Sequence, residues 1–195
     1  MKILNWITSY NQLRFLPYVL DHQKKLGCEL SLIDLGSTDG SIEWLERRRI
    51  PYEKIDPSQL EEWKKEQTQK IRPDWVMEST AAEMVVLSKI HLFNILDFAA
   101  SKGITTLKCS QLDFFSMEGG SATNHPVNSF FYYEQKPHRE LVKKESMERR
   151  SSLIEGYIFS YQGDLVAKED LKDARNLEAF QEFSRVQNAI WRENF

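Results

Sequence analysis

The chain has 195 residues, of which 41% are hydrophobic and 28% are charged, a composition that is typical of a folded globular protein and excludes wholesale disorder. Its formal net charge of -3 provides no overall basic surface, so binding to nucleic acid is not expected. Two cysteines are too few for a disulfide framework. The chain reaches Asn5 too early for a signal peptide and has no apolar run long enough for a membrane span. We therefore expect a cytoplasmic protein, with peripheral attachment to a membrane left open.

Short apolar runs alternate with segments of helical periodicity in the first part of the chain. The patterns predict strands at 3–8, 29–34 and 52–55, and helices at 13–26 and 42–50.

The middle of the chain continues this alternation. We expect a helix at 58–71, a strand at 75–79, a helix at 88–102 and strands at 104–108 and 111–115. Elements in this order predict an α/β fold with a doubly wound, mostly parallel sheet and helices on both faces.

The periodicity weakens in the last part of the chain. Small polar residues favour an exposed loop at 118–128, and the basic segment 136–150 fits a solvated helix or loop face. A strand is predicted at 154–161 and a charged terminal helix at 168–195.

Polar segments follow three of the predicted strands, at 8–11, 34–39 and 79–83. Ligands of doubly wound sheets bind beyond the carboxyl ends of the strands. The sequence therefore predicts that these three loops converge on one crevice.

The same three segments carry a family resemblance. They read Ser-Tyr-Asn-Gln-Leu-Arg-Phe-Leu-Pro at 9–17, Ile-Asp-Leu-Gly-Ser-Thr-Asp-Gly-Ser at 33–41 and Asp-Trp-Val-Met-Glu-Ser-Thr-Ala-Ala-Glu-Met at 74–84. In this order, they resemble the family 2-like glycosyltransferases, which have a GT-A-type domain. The resemblance implies a Rossmann-like nucleotide-sugar-binding core at 1–115. It leaves 116–195 as an acceptor-side region and C-terminal helical extension of the same domain.

The resemblance implies transfer of a sugar from a nucleoside-diphosphate donor, a UDP-sugar first, to a carbohydrate or lipid-linked acceptor. Asp34 stands where the family reads the base, and a carboxylate there can accept a hydrogen bond from the imide N–H of uracil. Thr8, Tyr10 and Asn11 would line the nucleotide side, with ordinary strand-end polarity as the alternative. Asp39 either contacts the ligand or caps the helix that follows it.

The third segment departs from the family pattern. The family holds Mg or Mn with an Asp-x-Asp motif, but Thr80 and Ala82 occupy those two positions here, and only the carboxylate of Glu83 survives. Gln12 replaces the usual Glu, and Leu35 the usual Asn. We therefore predict no metal ligands and no tightly bound cofactor, with Thr80 and Glu83 kept as nucleotide-side residues. The chain is either a metal-independent transferase or a non-catalytic nucleotide-binding or protein-interaction module.

Transfer with inversion needs a general base for the acceptor hydroxyl. The candidates are Asp113, Glu118 and His125, each of which also has an ordinary structural interpretation. Positively charged side chains of the basic segment offer a way to stabilise a departing diphosphate without a metal. They are Lys136, Arg139, Lys143, Lys144, Arg149 and Arg150.

Overall fold

The computed structural model describes residues 1–87, 92–116, 130–143, 151–164, 172–173, 177–178 and 180–181. The strands and helices alternate through the first part of the chain and give way to long strands after it. In chain order the elements are β1 (Ile3–Ser9), α1 (Leu16–Lys25), β2 (Glu29–Asp34), α2 (Ser41–Arg48), β3 (Glu53–Lys54), α3 (Leu60–Ile71), β4 (Trp75–Thr80), β5 (Glu83–Leu87), α4 (Leu92–Ser101), β6 (Thr106–Ser116), β7 (Phe130–Lys143), β8 (Ser151–Asp164) and β9 (Lys172–Asp173).

The strands form one sheet in the order β3-β2-β1-β4-β7-β6-β8-β5, and β9 pairs with β7. The first four strands of this order are parallel. Beyond them, β7 is antiparallel to both β4 and β6, β8 is parallel to β6, and β5 is antiparallel to β8. The predicted fold class is confirmed: the molecule is α/β and Rossmann-like, with a four-stranded parallel region.

Helices cover both faces of the parallel region. Leu16 and Leu20 of α1 and Leu45 of α2 pack against Ile7 on one face, where α4 also packs. On the other face, α3 packs against β1, and the ring of its Trp63 meets Trp6 edge-on at 5.4 Å between centroids. The buried apolar side chains of both faces provide the main stabilisation of such a layered fold.

The boundaries of α1 follow from two residues that the sequence displays. Pro17 lies in the first turn, where its missing N–H costs no hydrogen bond. Gly27 follows the helix with a φ of +81°. A Cβ added to Gly27 would lie 2.8 Å from the ring of Phe93, so both the backbone and the packing there require glycine.

The strands after the parallel region form a second core with α1. Phe114 of β6 and Phe159 of β8 have ring centroids 4.8 Å apart, and Phe180 stacks on Phe114 at 5.4 Å. Phe15, which precedes α1, and Val19 of α1 complete this cluster. Strands from before and after the predicted boundary at residue 115 also share one sheet.

Edge strand β5 is held by polar side chains of α1. The Gln23 Nε2 donates to the Glu83 carbonyl at 3.3 Å, and the His22 Nε2 lies 2.8 Å from the Val85 carbonyl. A carbonyl can only accept, so His22 carries its proton on Nε2. These contacts connect α1 to the backbone of β5.

Several parts of the predicted order differ from the structure. Strand β5 was not predicted, although Met84 to Leu87 is an apolar run with two valines. Strands at 104–108 and 111–115 are one strand, β6, whose register shifts between Cys109 and Gln111. The backbone of residues 136–143 belongs to β7 and not to a helix or loop.

Long-range pairing explains why these strands were missed. Pro137 interrupts the pattern of β7, yet it lies where β6–β7 pairing is irregular, a position that tolerates proline in a strand. The predicted helix at 168–195 contains the strand residues Lys172 and Asp173, which pair with Tyr133 and Tyr132. A two-residue strand depends on its partner, and local propensity does not reveal it.

Candidate functional site

The carboxyl ends of three parallel strands meet at one edge of the sheet. In the strand register, Ser9 of β1 pairs with Asp34 of β2, and Thr8 pairs with Thr80 of β4. Because paired side chains lie on the same face, Ser9 and Asp34 share one face, and Thr8 and Thr80 share the other. The predicted loops follow adjacent strands, and their polar residues lie on both faces of the sheet at this edge.

Reciprocal hydrogen bonds tie the loop after β1 to the turn after β2. The Asn11 backbone N–H donates to the Ser37 Oγ at 3.0 Å, and its side-chain oxygen accepts from the Thr38 N–H at 2.7 Å. Asn11 has a φ of +52°, a conformation that asparagine adopts more readily than most residues. The structure thus brings Asn11 and the 34–39 segment together.

Asp39 completes this tie. One carboxylate oxygen accepts from the Leu13 N–H at 2.8 Å, and the other accepts from the N–H and hydroxyl of Ser41 at 3.0 and 2.6 Å. Partial burial acts to raise the pKa of Asp39, but the hydrogen bonds from Ser41 and Leu13 outweigh it and hold the pKa below its ordinary value. Both oxygens are engaged in fixing the loops and the start of α2, which favours the structural interpretation of Asp39.

Asp34 is differently placed. Its side chain is 0% exposed, and one oxygen accepts from the N–H groups of Gly36 and Ser37, each at 2.9 Å. Among the described residues, its other oxygen has no hydrogen-bond partner, and the same holds for the buried Ser9 Oγ and Gln12 Oε1. Buried polar atoms in folded proteins are nearly always paired, so such a set needs an explanation.

Space is open at Gly36, two residues after this carboxylate. Gly36 has a φ of +95°, and apart from its two chain neighbours no described residue has an atom within 4 Å of a Cβ built on it. Tyr10, on the adjoining loop, is 58% exposed. Glycine at such a point lets a ligand approach the backbone closely.

The β4–β5 turn, Thr80–Glu83, forms the third part of the edge. The Thr80 N–H donates to the Glu83 carboxylate at 2.8 Å, and the Ala82 N–H donates to the Thr80 hydroxyl at 3.3 Å. The Ala81 N–H donates to the Thr8 carbonyl at 2.8 Å. These bonds close the turn on itself and join it to β1.

The residues of this turn do not fit a divalent cation. Mg and Mn need several oxygen ligands, whereas Ala81 and Ala82 present methyl groups that are buried in the apolar clusters around α1. Glu83 is 4% exposed, and one of its carboxylate oxygens already accepts from Thr80. Across the described parts of the chain, no group of three or more His, Cys, Asp or Glu could hold a metal ion.

A row of polar residues continues from this turn across the second part of the sheet. Glu83 pairs with Ser160 of β8, Ser160 with Asp113 of β6, and Asp113 with Glu134 of β7. Paired positions share a face, so these four side chains lie on the same face. Asp113, one of the predicted bases, is therefore two strands away from Glu83.

Asp113 is buried but has polar neighbours. The Gln111 side-chain amide donates to it at 2.8 Å, and the Lys136 Nζ lies 3.9 Å from its second oxygen. Lys136 also pairs with Glu134 at 3.1 Å. Lys136 thus belongs to the polar face of the sheet and not to a solvated helix.

Eight of the ten predicted site residues lie along this edge or on the row that extends from it. They are Thr8, Tyr10, Asn11, Asp34, Asp39, Thr80, Glu83 and Asp113. Glu118 and His125 lie outside the described residues. Ser9 and Gly36 lie at the same edge and within the quoted segments, but they were not predicted as site residues. Leu35 packs against the apolar cluster of β1 and β4.

Comparisons with known proteins add little to this geometry. No protein-family model matches the chain, and no curated protein matches it. Among solved structures, it is similar to one described as UDP-glucose pyrophosphorylase complexed with UDP-glucose. That alignment has 12% identity, covers 100% of each chain and has a TM-score of 0.32. A TM-score this low carries no inference about activity, so the family resemblance stays a prediction.

The helices that the structure describes include none long and apolar enough to cross a membrane.

Proposed function

We propose that this chain binds a UDP-sugar at the carboxyl edge of its parallel strands and transfers the sugar to a hydroxyl group of a carbohydrate or lipid-linked acceptor. The observation that carries the proposal is Asp34. It ends a strand at the edge where Rossmann-like sheets bind nucleotides, and one of its buried oxygens has no partner among the described residues. The imide N–H of uracil is a hydrogen-bond donor that can pair with this oxygen.

The residues around Asp34 suit a nucleoside. Gly36 leaves open space two residues after Asp34, and the exposed ring of Tyr10 offers an aromatic face to a base. Asn11 lies on the loop that is tied to the turn after Asp34, and Thr8 lies at the same edge on the opposite face of the sheet. The interlocked loops hold these groups before a ligand arrives, which lowers the entropy cost of binding.

Asp113 is the proposed base for the transfer step. As the acceptor oxygen bonds to the anomeric carbon, its proton passes to the Asp113 carboxylate, and the bond from that carbon to the diphosphate oxygen breaks. Support comes from the polar row that links Asp113 to Glu83 and from the two polar neighbours that fix its orientation. Glu118 and His125 stay alternative bases, and the acceptor class and cytoplasmic location stay predictions from the sequence.

A second candidate function is a non-catalytic nucleotide-binding or protein-interaction module of the same fold. Thr80 and the buried Ala82 favour it, because they stand at the two carboxylate positions of the resembling family's metal-binding motif.

One experiment separates these candidates. UDP and a panel of UDP-sugars are titrated calorimetrically, and the same mixtures with simple sugar acceptors are followed by NMR for UDP release. Transfer that is lost in Asp113→Asn while UDP binding is kept supports the transferase. Binding without turnover supports the non-catalytic module, and no binding of any uridine nucleotide contradicts both nucleotide-binding proposals.

A further inference from the structure

The β4–β5 turn is built as a finished structural unit. Within Thr80–Glu83, the Thr80 N–H, the Ala82 N–H and the Thr80 hydroxyl oxygen are all paired inside the turn. The Thr80 N–H donates to a Glu83 carboxyl oxygen at 2.8 Å, which links the end of β4 to the start of β5. Glu83 therefore fixes the position of the backbone at the end of β4.

Packing holds the same turn from the other side. Ala81 lies in the cluster of Ile7 and Leu16, and Ala82 lies in the cluster of Phe15 and Phe114. Larger side chains at either alanine would displace α1, because close-packed interiors leave little free space. The turn therefore has neither room nor side chains for the ligands of a cation.

The first residues of β5 add a third restraint. The Glu83 carbonyl accepts from the Gln23 side chain, and the Val85 carbonyl accepts from His22, both on α1. A Glu83 carboxylate that turned toward a cation would leave the Thr80 N–H without its acceptor. Backbone and side chain of Glu83 are thus both committed to holding the turn.

We propose that Glu83 is a positioning residue that fixes this turn internally, and that the chain therefore binds its nucleotide without a divalent cation. This inference rests on the proposed nucleotide site, which it deepens by stating the form of the ligand: a uridine nucleotide free of metal. The turn then contributes the Thr80 hydroxyl and a fixed backbone to the rim. It contributes no site for a metal that would bridge the protein and the diphosphate.

Two measurements on the intact chain test this inference. In the first, Mn²⁺ alone is titrated with protein, and the free ion is followed by its electron paramagnetic resonance signal. In the second, UDP is titrated calorimetrically in EDTA and again in excess Mn²⁺. We expect no loss of the free Mn²⁺ signal and UDP dissociation constants that agree within about twofold in the two buffers.

Variants add a readout specific to Glu83. Glu83→Ala should weaken UDP binding about tenfold in both buffers, and Glu83→Gln, which keeps an oxygen acceptor for the Thr80 N–H, should lose less. Glu78→Gln is the matched control, because Glu78 is an exposed carboxylate on β4 that pairs with Lys64 and lies outside the turn. Far-UV circular dichroism confirms that each variant is folded.

The outcomes are distinct. UDP binding that appears only with Mn²⁺, or Mn²⁺ that binds to the protein alone, overturns the inference. Equal losses in the Ala and Gln variants overturn the positioning role of Glu83. An absence of UDP binding in both buffers contradicts the proposed function instead, and the Mn²⁺ titration still decides whether the turn takes a cation.

Discussion

Two regions of the same sheet edge use their polar groups in different ways. The loops after β1 and β2 are tied together by Asn11 and Asp39, yet they leave one buried oxygen of Asp34 without a partner among the described residues. The turn after β4 pairs its polar groups internally and fills the space beneath it with the methyl groups of Ala81 and Ala82. The first region resembles a binding site with an unpaired acceptor, whereas the second resembles a structural turn.

This difference shows why residue types at a motif position do not by themselves define a site. Asp34 and Glu83 are both buried carboxylates beside a loop. Both accept N–H groups of their own turns, but one oxygen of Asp34 has no hydrogen-bond partner among the described residues.

The largest expected effect comes from introducing a charged side chain into the β4–β5 turn. From the sequence alone, Thr80→Asp combined with Ala82→Asp is expected to create Mn-dependent UDP binding. The burial of Ala82 in an apolar cluster changes this expectation. Ala82→Asp places a carboxylate there without a counter-charge and should lower the free energy of unfolding by about 3 to 5 kcal/mol.

Urea denaturation of Ala82→Asp, with Ala82→Ser as the matched control, checks this value. A destabilisation below about 1 kcal/mol, together with Mn-dependent UDP binding, would show that the turn can open into a metal site.

A smaller effect is expected at the unpaired acceptor of the first region. Asp34→Asn keeps an oxygen for the Gly36 and Ser37 N–H groups but replaces the other oxygen with an NH2 group, which donates hydrogen bonds. Affinity for UDP should fall about 10- to 100-fold while the fold is retained. Calorimetric titration measures this loss, and unchanged affinity rules out Asp34 as the base-reading residue.

Untying the two loops should have an effect on stability of about 1 to 2 kcal/mol. Asp39→Ala removes the acceptor for Leu13 and Ser41, which resembles the loss of a helix cap. Because the folded pKa of Asp39 is lowered, its contribution is present above the ordinary carboxyl pKa and is lost as the pH falls through the folded pKa. Wild type and Asp39→Ala should therefore converge in stability in acid, which denaturation over a pH series will show. Parallel curves would assign the effect to packing.

The smallest effect concerns His22, which links α1 to β5 beside the β4–β5 turn. Burial lowers the pKa of His22 below its ordinary value of 6.5, against the opposing influence of its bond to Val85 and the charge of Asp21. The unfolded state then binds a proton first as the pH falls, so the full stability is present above 6.5 and declines below it.

His22→Gln keeps an N–H donor but does not titrate. Between about pH 7 and pH 5, wild type should lose more stability than this variant, and the two slopes should agree above pH 7. Equal slopes over the whole range would show that His22 is protonated without cost in the folded state.

Part of this molecule was predictable from its sequence because local patterns determine it. The first four parallel strands, the helices with their stops at residues such as Gly27, and the convergence of the 8–11, 34–39 and 79–83 segments follow from periodicity and turn chemistry. β5 and β7 depend on pairing with distant strands, which local propensity does not encode. The structural role of Glu83 was hidden, and Asp39 was left between ligand contact and helix capping, since a carboxylate that fixes a loop and one that binds a ligand look the same in sequence.

The most direct test of the central claim is a UDP titration of ¹⁵N-labelled protein in EDTA, followed by NMR. We predict saturable shifts that are largest for the amides of Asn11, Gly36 and Ser37, with the amide of Ala82 little changed. Saturating UDP that leaves the Gly36 and Ser37 amides unmoved would contradict the assignment of this edge as the nucleotide site.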